Sequence, residues 1–135
     1  IQREVALRIC AAPGTADYGA FSVYCQYHTV PELLFDVGPE CFVPAPKVTS
    51  SVIRMVPRSA PPEGVEDEKR FFRVVKAAFG QRRKTLLNAL SAGLGGVDKE
   101  HIKAAIAAAG LEENIRGERL GIPEFAALTR ALGDF

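Results

Sequence analysis

The chain has 135 residues, of which 47% are hydrophobic and 8% aromatic, and its formal net charge is +1. This length suits one ordinary globular domain, and because neither an apolar run of about 18 residues nor the basic and then apolar start of a secretion signal occurs, we expect a soluble cytoplasmic protein without a membrane segment. Three cysteines without a C-x-x-C pair and two isolated histidines indicate neither a disulfide framework nor a metal site.

The first half of the chain mixes helix and strand signals. An opening segment, Ile1 to Ile9, is followed by a Pro-Gly turn, and a helix is predicted from about Tyr18 to Tyr27. The segments near Val30 to Val37 and Val48 to Val56 are predicted as two strands, the second of them rich in β-branched side chains. The connection between them has roughly ten residues, which is longer than a tight hairpin turn.

The connection between the strands contains the sequence F-V-P-A-P-K-V-T-S, Phe42 to Ser50. Pro44 and Pro46 each fix φ and push the preceding residue out of the helical region, so we predict an extended and rigid loop. This loop presents one aromatic ring, Phe42, and one cation, Lys47. A rigid loop that leads into a strand is a suitable place for binding residues. The alternatives are a Phe42 that fills the core and a Lys47 that is merely solvated.

A proline-rich segment at 59–65 is predicted to be a linker, and all patterns in the following segment, 66–135, are helical. Thr85 is a suitable N-cap for the second helix of this half, and Asp98 is suitable for the third. Pro123 suits the first turn of the fourth. Four short helices with modest apolar faces predict a small all-α bundle.

The first helix of this half has its charges on one face. Apolar residues from Phe71 to Phe79 recur at helical spacing, and the opposite face has Lys69, Arg73 and Lys76. Continuing the helix past Gly80 would place Arg82 on the apolar face, where an unpaired charge is costly. We therefore predict a break near Gly80, with the following cations in an exposed turn.

Positive charge is concentrated in one part of the sequence. Between positions 69 and 97 there are seven cations and no acid: Lys69, Arg70, Arg73, Lys76, Arg82, Arg83 and Lys84. A local basic surface on a nearly neutral protein indicates a polyanion that is contacted at one place. Four of these cations are our candidates for RNA contact: Arg73, Lys76, Arg83 and Lys84.

One cation of this cluster is expected to serve the fold instead. Arg82 is predicted to pair with a carboxylate such as Glu118. Arg116 and Glu118 are likewise assigned to an internal ion pair that joins helices. The competing interpretation of the three cations at 82–84 is a solvated turn without a ligand.

Five segments, in this order, resemble one enzyme family. They are Gln2 to Ile9 (Q-R-E-V-A-L-R-I), Tyr18 to Gln26, Phe42 to Ser50, Ala78 to Leu90 (A-F-G-Q-R-R-K-T-L-L-N-A-L) and Arg116 to Leu120 (R-G-E-R-L). Along its whole length the chain is similar to the small-subunit (16S) ribosomal RNA adenine N6,N6-dimethyltransferases, which transfer methyl groups from S-adenosylmethionine to two adjacent adenosines. The segment Ala78 to Leu90 favours this branch over the large-subunit methyltransferases that confer macrolide resistance.

The resemblance implies a fold class. Residues 1–58 would be an α/β remnant, the last strands of a Rossmann-like methyltransferase sheet with a substrate loop at 42–50, and 66–135 would be a small all-α, RNA-binding domain. The family's glycine-rich turn, ribose-binding acid and N-L-P-Y motif do not occur in the sequence. We therefore expect a C-terminal fragment that is inactive alone and binds no cofactor. S-adenosylmethionine would be the cofactor of the parent enzyme. The exposed strand edges of the fragment favour self-association.

The resemblance also implies residue roles. Phe42 would stack on the target adenine, in a position fixed by Pro44 and Pro46. Contacts with the small-subunit ribosomal RNA of the assembling 30S subunit would come from Lys47, Arg73, Lys76, Arg83 and Lys84. No residue of the chain is assigned to catalysis, to cofactor binding or to a metal.

Two other functions stay open on the sequence. The first is a free-standing RNA-binding or ribosome-assembly module without methyltransferase activity, which would use only the basic helical region. The second is a protein-interaction bundle whose charges are merely surface charges. The segregation of the charges disfavours the second.

Overall fold

Six α-helices and two β-strands make up the structure, a computed structural model that describes all 135 residues. The chain divides into two units, Ile1–Ala60 and Pro61–Phe135. This division falls inside the predicted linker at 59–65. The assignment of the units to a catalytic remnant and an RNA-binding domain stays a prediction.

The first unit contains two helices and an antiparallel pair of strands. Its elements are α1 (Arg3–Cys10), α2 (Ala20–His28), β1 (Thr29–Val37) and β2 (Ser50–Pro57). The strands pair from Thr29 opposite Pro57 to Val37 opposite Ser50, with one irregularity in between. The predicted helix and both predicted strands are confirmed, although β2 begins at Ser50 and not at Val48.

Helices α1 and α2 contribute most of the core of the first unit, whose buried side chains include Ala6, Ile9, Tyr18, Val23 and Tyr27. The Gln26 side-chain amide of α2 donates hydrogen bonds to the carbonyls of Ile9 and Ala11, at 2.9 and 2.8 Å. The last carbonyls of a helix have no partner within that helix. Gln26 therefore caps the end of α1 and fastens it to α2.

The start of the chain is fastened to the sheet around Asp36. Gln2 forms an isolated antiparallel bridge with Ser50. The Ser51 hydroxyl donates to the Asp36 carboxylate at 2.6 Å, and the Arg3 guanidinium donates to the same carboxylate at 3.0 Å. The hydrogen bond from Ser51 lowers the pKa of Asp36 most, and the hydrogen bond and positive charge of Arg3 lower it further.

The two strands leave much apolar surface uncovered. Their exposed large side chains are Val30, Leu33, Leu34, Phe35, Val52, Met55 and Val56. Single exposed apolar residues are normal on a soluble protein, but a contiguous set of them marks an interaction surface. The paired strands of the first unit therefore present apolar side chains at its surface.

The second unit is all-α. Its helices are α3 (Glu68–Phe79), α4 (Leu86–Gly93), α5 (Lys99–Ala108) and α6 (Ile122–Leu132), with a 3₁₀ turn at Gly117–Arg119. Its core includes Phe71, Leu86, Leu90, Ile102, Phe125 and Leu128. The predicted four helices and the break near Gly80 are confirmed. No helix of the structure has both the length and the apolar composition needed to cross a bilayer.

The helix starts in this unit follow local sequence signals. The Thr85 hydroxyl accepts a hydrogen bond from the Asn88 amide at 3.3 Å, as expected of an N-cap. Asp67 caps α3 in the same way, through the Arg70 amide at 3.1 Å. Asp98 occupies the N-cap position of α5, but its side chain makes no capping hydrogen bond. Pro123 lies in the first turn of α6, as predicted.

Candidate nucleic-acid interface

The three consecutive cations lie in the turn between α3 and α4. The helix α3 ends at Phe79, and Gly80 follows as its C-cap. The backbone amide of Lys84 donates to the Gln81 carbonyl at 2.9 Å, which closes the turn. Arg82, Arg83 and Lys84 are all exposed, as predicted. We call the segment 80–84 the basic turn.

Arg82 differs from its two neighbours because it has an acidic partner. Its guanidinium lies 3.9 Å from the Glu118 carboxylate, as predicted. Both side chains are partly solvated, and such surface pairs contribute about 1 kcal/mol or less. The pair therefore orients Arg82 more than it stabilises the fold.

A neighbouring loop supports the basic turn. The Leu86 amide at the start of α4 donates to the Ile115 carbonyl at 2.8 Å. A Cβ added at Gly117 would lie 3.0 Å from both the carbonyl oxygen and the Cβ of Ala78, so this loop lies directly against the end of α3. The expectation for Arg116 was wrong, because its side chain is exposed and the partner of Glu118 is Arg82.

The cationic face of α3 continues from this turn. Lys69, Arg73 and Lys76 are exposed, while the opposite face is buried in the core, as predicted. The Arg73 guanidinium lies 4.9 Å from the centre of the Phe135 ring and donates to the Phe135 carbonyl at 3.3 Å. Arg73 is thus held in place at the surface.

Arg70 belongs to the same acid-free stretch but has a structural role. It donates to the Thr129 carbonyl at 3.1 Å and lies 3.5 Å from the Asp134 carboxylate. Its guanidinium is also 5.4 Å from the centre of the Phe135 ring. Among the cations of α3, Lys69, Arg73 and Lys76 remain on the exposed face.

The loop between the strands presents Phe42 at the surface of the first unit. A 3₁₀ turn, Pro39–Cys41, precedes it, and the Phe42 amide donates to the Pro39 carbonyl at 3.2 Å. The Phe42 side chain is 41% exposed, so the interpretation of Phe42 as a core residue was wrong. Pro44 and Lys47 are exposed, and Pro46 is half-buried.

The course of this loop differs from the prediction of a uniformly extended segment. The backbone is extended at Phe42, with φ −120° and ψ 153°. Bends occur at 42–44 and again at 47–48. The reason is local: β1 and β2 run antiparallel, so the chain must reverse its direction between them.

The candidate residues thus fall into two sets. Phe42, Pro44, Pro46 and Lys47 belong to the first unit, and Arg73, Lys76, Arg83 and Lys84 belong to the second. No group of three or more His, Cys, Asp or Glu side chains is arranged to hold a metal ion. Burial raises the pKa of Cys10 and of Cys25, which disfavours their thiolate forms.

The chain matches the family model described as ribosomal RNA adenine dimethylase over residues 1–120. It is 51% identical over 130 residues to ribosomal RNA small subunit methyltransferase A of Alkaliphilus metalliredigens, covering 96% of this chain and 45% of that protein. A protein of the same name from Desulfitobacterium hafniense is 53% identical over 132 residues, covering 98% of this chain and 47% of that protein. The chain spans about half the length of these curated relatives.

Two solved structures resemble this one. A dimethyladenosine transferase from Plasmodium falciparum matches with a TM-score of 0.71 and 18% identity, covering 94% of this chain and 53% of that chain. The 23S rRNA methyltransferase ErmE matches with a TM-score of 0.64 and 22% identity, covering 98% of this chain and 52% of that chain. At these identities the likeness shows the fold alone, which this chain shares with part of each of these two proteins.

The family match includes all five segments on which the resemblance was based, since the last of them ends at Leu120. The curated relatives are named as small-subunit methyltransferases, in agreement with the branch predicted from Ala78 to Leu90. The chain belongs to the ribosomal RNA adenine dimethylase family.

Proposed function

We propose that this chain supplies the substrate loop and the RNA-docking helical unit of an enzyme that dimethylates two adjacent adenosines of small-subunit ribosomal RNA during ribosome biogenesis. Family membership and the names of the curated relatives support the reaction and the substrate class. The observation that carries the docking role is the basic turn, where Arg83 and Lys84 are exposed and the surrounding sequence has no acid between positions 69 and 97.

The docking role follows from the charge of the RNA backbone. Arg73, Lys76, Arg83 and Lys84 are cations on one helix face and the adjoining turn of the second unit. Lysine and arginine side chains that meet phosphates give affinity and salt sensitivity without reading the base sequence. In this proposal the second unit docks on the RNA, and base selection belongs to other parts of the enzyme. Lys47, which is exposed on the loop of the first unit, is proposed as a further phosphate contact.

The loop of the first unit is proposed to hold the target base. An adenine that is to be methylated on its exocyclic nitrogen must leave its stack, and enzymes that act in this way place the extruded base against aromatic or apolar side chains. Phe42 is an exposed ring in a loop that contains Pro44 and Pro46, which restrict the backbone. Stacking of a base on such a ring contributes about 1 to 3 kcal/mol.

The cofactor S-adenosylmethionine is assigned to the rest of the enzyme. In Rossmann-like domains a cofactor of this size lies at the carboxyl ends of parallel strands, beside a glycine-rich turn that leads into a helix. The sheet of this chain is one antiparallel pair, which has no such edge. These residues therefore do not fit the cofactor by themselves, and we propose that the chain alone transfers no methyl group. Methylation of ribosomal RNA by the isolated chain would contradict this.

The test of the docking role is a titration of the chain with a labelled small-subunit ribosomal RNA hairpin that has two adjacent adenosines. We expect binding that weakens with salt and that Arg83→Glu/Lys84→Glu reduces by at least about tenfold, because two attractive contacts become repulsive. The control is Lys99→Glu/Lys103→Glu on α5, which makes the same change in net charge at exposed positions outside the basic turn. Equal losses in both variants, or no binding by the unmodified chain, would contradict the proposal.

The alternative is a free-standing RNA-binding or ribosome-assembly module without methyltransferase activity. One observation favours keeping it: the basic turn and the cationic face of α3 both belong to the second unit, which has its own core. The reading frame upstream of Ile1 separates the two proposals, because the enzyme needs a cofactor-binding half and the module does not.

A further inference from the structure

A groove lies between α3 and α4, beside the basic turn. Its volume is about 420 Å³, and the residues that line it include Arg73, Lys76, Gly80, Ala89, Ala92 and Gly93. Two of the lining residues are cations, Gln81 is polar and uncharged, and the others are alanines and glycines. The cations are visible in the sequence, whereas the groove depends on how the two helices pack.

The close approach of the two helices shapes this groove. A Cβ added at Gly93 would lie 2.6 Å from the Cβ of Ala77, so the end of α4 lies directly against α3. Ala92 and Gly93 are exposed at the end of α4 and leave a low apolar floor, beneath which Ala89 is buried. Sites for small organic groups are mostly apolar surfaces with a few polar groups at defined positions, and this groove has that composition.

The charge of the groove has one sign. Arg73 and Lys76 line it, and no carboxylate does. By contrast, three other cavities of the second unit each include at least one carboxylate, among them Glu66, Glu112 and Glu113. The groove also reaches Gly80, where the basic turn begins. Charge complementarity therefore selects a polyanion as its occupant.

The ends of the helices decide where phosphate and base would lie. Gly80 is the C-cap of α3 and Gly93 is the last residue of α4, so the partial negative charge of both helix C-termini lies at the floor. A phosphate is disfavoured there and favoured beside the cations. Arg73 uses one N–H group on the Phe135 carbonyl, and a guanidinium has five, so four remain.

We propose that this groove binds one nucleotide of the ribosomal RNA strand, with the base or ribose on the floor formed by Ala92 and Gly93 and the adjoining phosphates beside Arg73 and Lys76. The inference rests on the proposed docking function. It adds to that function a site for a nucleoside, which the charges of the basic turn alone do not supply.

The test is binding of the same labelled RNA hairpin to three variants of the 135-residue chain. Ala92→Glu places bulk and negative charge in the groove, and Ala92→Gln places similar bulk without charge. Ala104→Glu is the matched control, since Ala104 is an exposed alanine within α5. We expect Ala92→Gln to weaken binding by about threefold, Ala92→Glu by about tenfold, and Ala104→Glu by less than about twofold. Thermal unfolding followed by circular dichroism verifies that each variant folds.

Four outcomes would overturn the inference. Equal losses for Ala92→Glu and Ala104→Glu would show a general effect of net charge. Unchanged binding by Ala92→Gln would show that no nucleoside packs on the floor. If Ala92→Glu binds fully while Arg83→Glu/Lys84→Glu loses binding, the groove is rejected and the docking function stands. If both variants bind fully, the groove and the docking function are both rejected.

Discussion

Arg82, Arg83 and Lys84 are consecutive in sequence but have different surroundings. Arg82 lies beside Glu118, while the other two side chains are exposed and make no ion pair in the structure. The sequence predicted the break that places them in an exposed turn, because a continued helix would have put Arg82 on the apolar face. It also singled out Arg82 as the cation that pairs with a carboxylate such as Glu118. The sequence did not show that Glu118 pairs with Arg82 and not with Arg116. That choice depends on the 3₁₀ turn at Gly117–Arg119, which positions Glu118.

Phe42 is expected to matter more for methylation than for the stability of the fold. Because the ring is 41% exposed, Phe42→Ala is expected to change the free energy of unfolding of this chain by less than about 1 kcal/mol. In an enzyme that contains this loop together with the cofactor-binding half, the same change is expected to reduce methylation by at least about fivefold and RNA binding by less, because only the stack on the target base is lost.

The matched control for this prediction is Val43→Ala, which removes apolar surface from the adjacent and fully exposed side chain. Methylation assays and RNA titrations on both variants make the comparison. Equal losses of methylation and binding in Phe42→Ala would make Phe42 a general binding residue, and equal effects of the two substitutions would exclude a specific stack.

At the scale of elements, the sequence predicted what local rules determine. The break after Phe79, the cap at Thr85 and the start of α6 at Pro123 each depend on residues within one turn. The floor of the groove was not predicted, because it depends on the distance between α3 and α4. The lack of a side chain at Gly93 permits the close contact with Ala77.

Gly93→Ala tests this helix contact. An alanine is normally preferred to a glycine inside a helix. Here its Cβ would lie 2.6 Å from the Cβ and 2.9 Å from the Cα of Ala77, so one helix must move. We expect a loss of about 1 to 3 kcal/mol in the free energy of unfolding, measured by denaturant titration.

The control is Gly95→Ala, because no atom lies within 4 Å of a Cβ added at that position. Its effect is expected to be less than about 0.5 kcal/mol. A Gly93→Ala variant as stable as the Gly95→Ala variant would mean that α3 and α4 separate easily and that the groove between them is not rigid.

For the molecule as a whole, the order of elements could be predicted from the sequence. The change from a mixed α and β half to an all-helical half could also be predicted. The exposure of apolar side chains on β1 and β2 could not be predicted. The alternation of residues along a strand does not show how many faces of the sheet are covered by other elements. The fold of two larger methyltransferases includes this arrangement as about half of each structure. The interpretation of 1–58 as the last strands of a Rossmann-like sheet therefore stays a proposal that this likeness supports.

The exposed strands lead to a prediction about assembly. A strand edge with free backbone groups pairs readily with another chain, and charged side chains on such an edge prevent this. We expect light scattering to give a mass above the 14.6 kDa of one chain, and to return to that mass in Phe35→Lys. A concentration-independent monomer for the unmodified chain would count against pairing through the strands.

The contact between Arg82 and Glu118 has a consequence for the thermodynamics of any RNA complex. A cation that already has a carboxylate beside it displaces few of the small ions condensed on a nucleic acid. The basic turn should therefore release ions from about two phosphates rather than three, and contribute about −1.4 to the slope of log K against log salt on a single strand. One carboxylate on a loop that is distant only in sequence thus sets the number of ions that the turn releases.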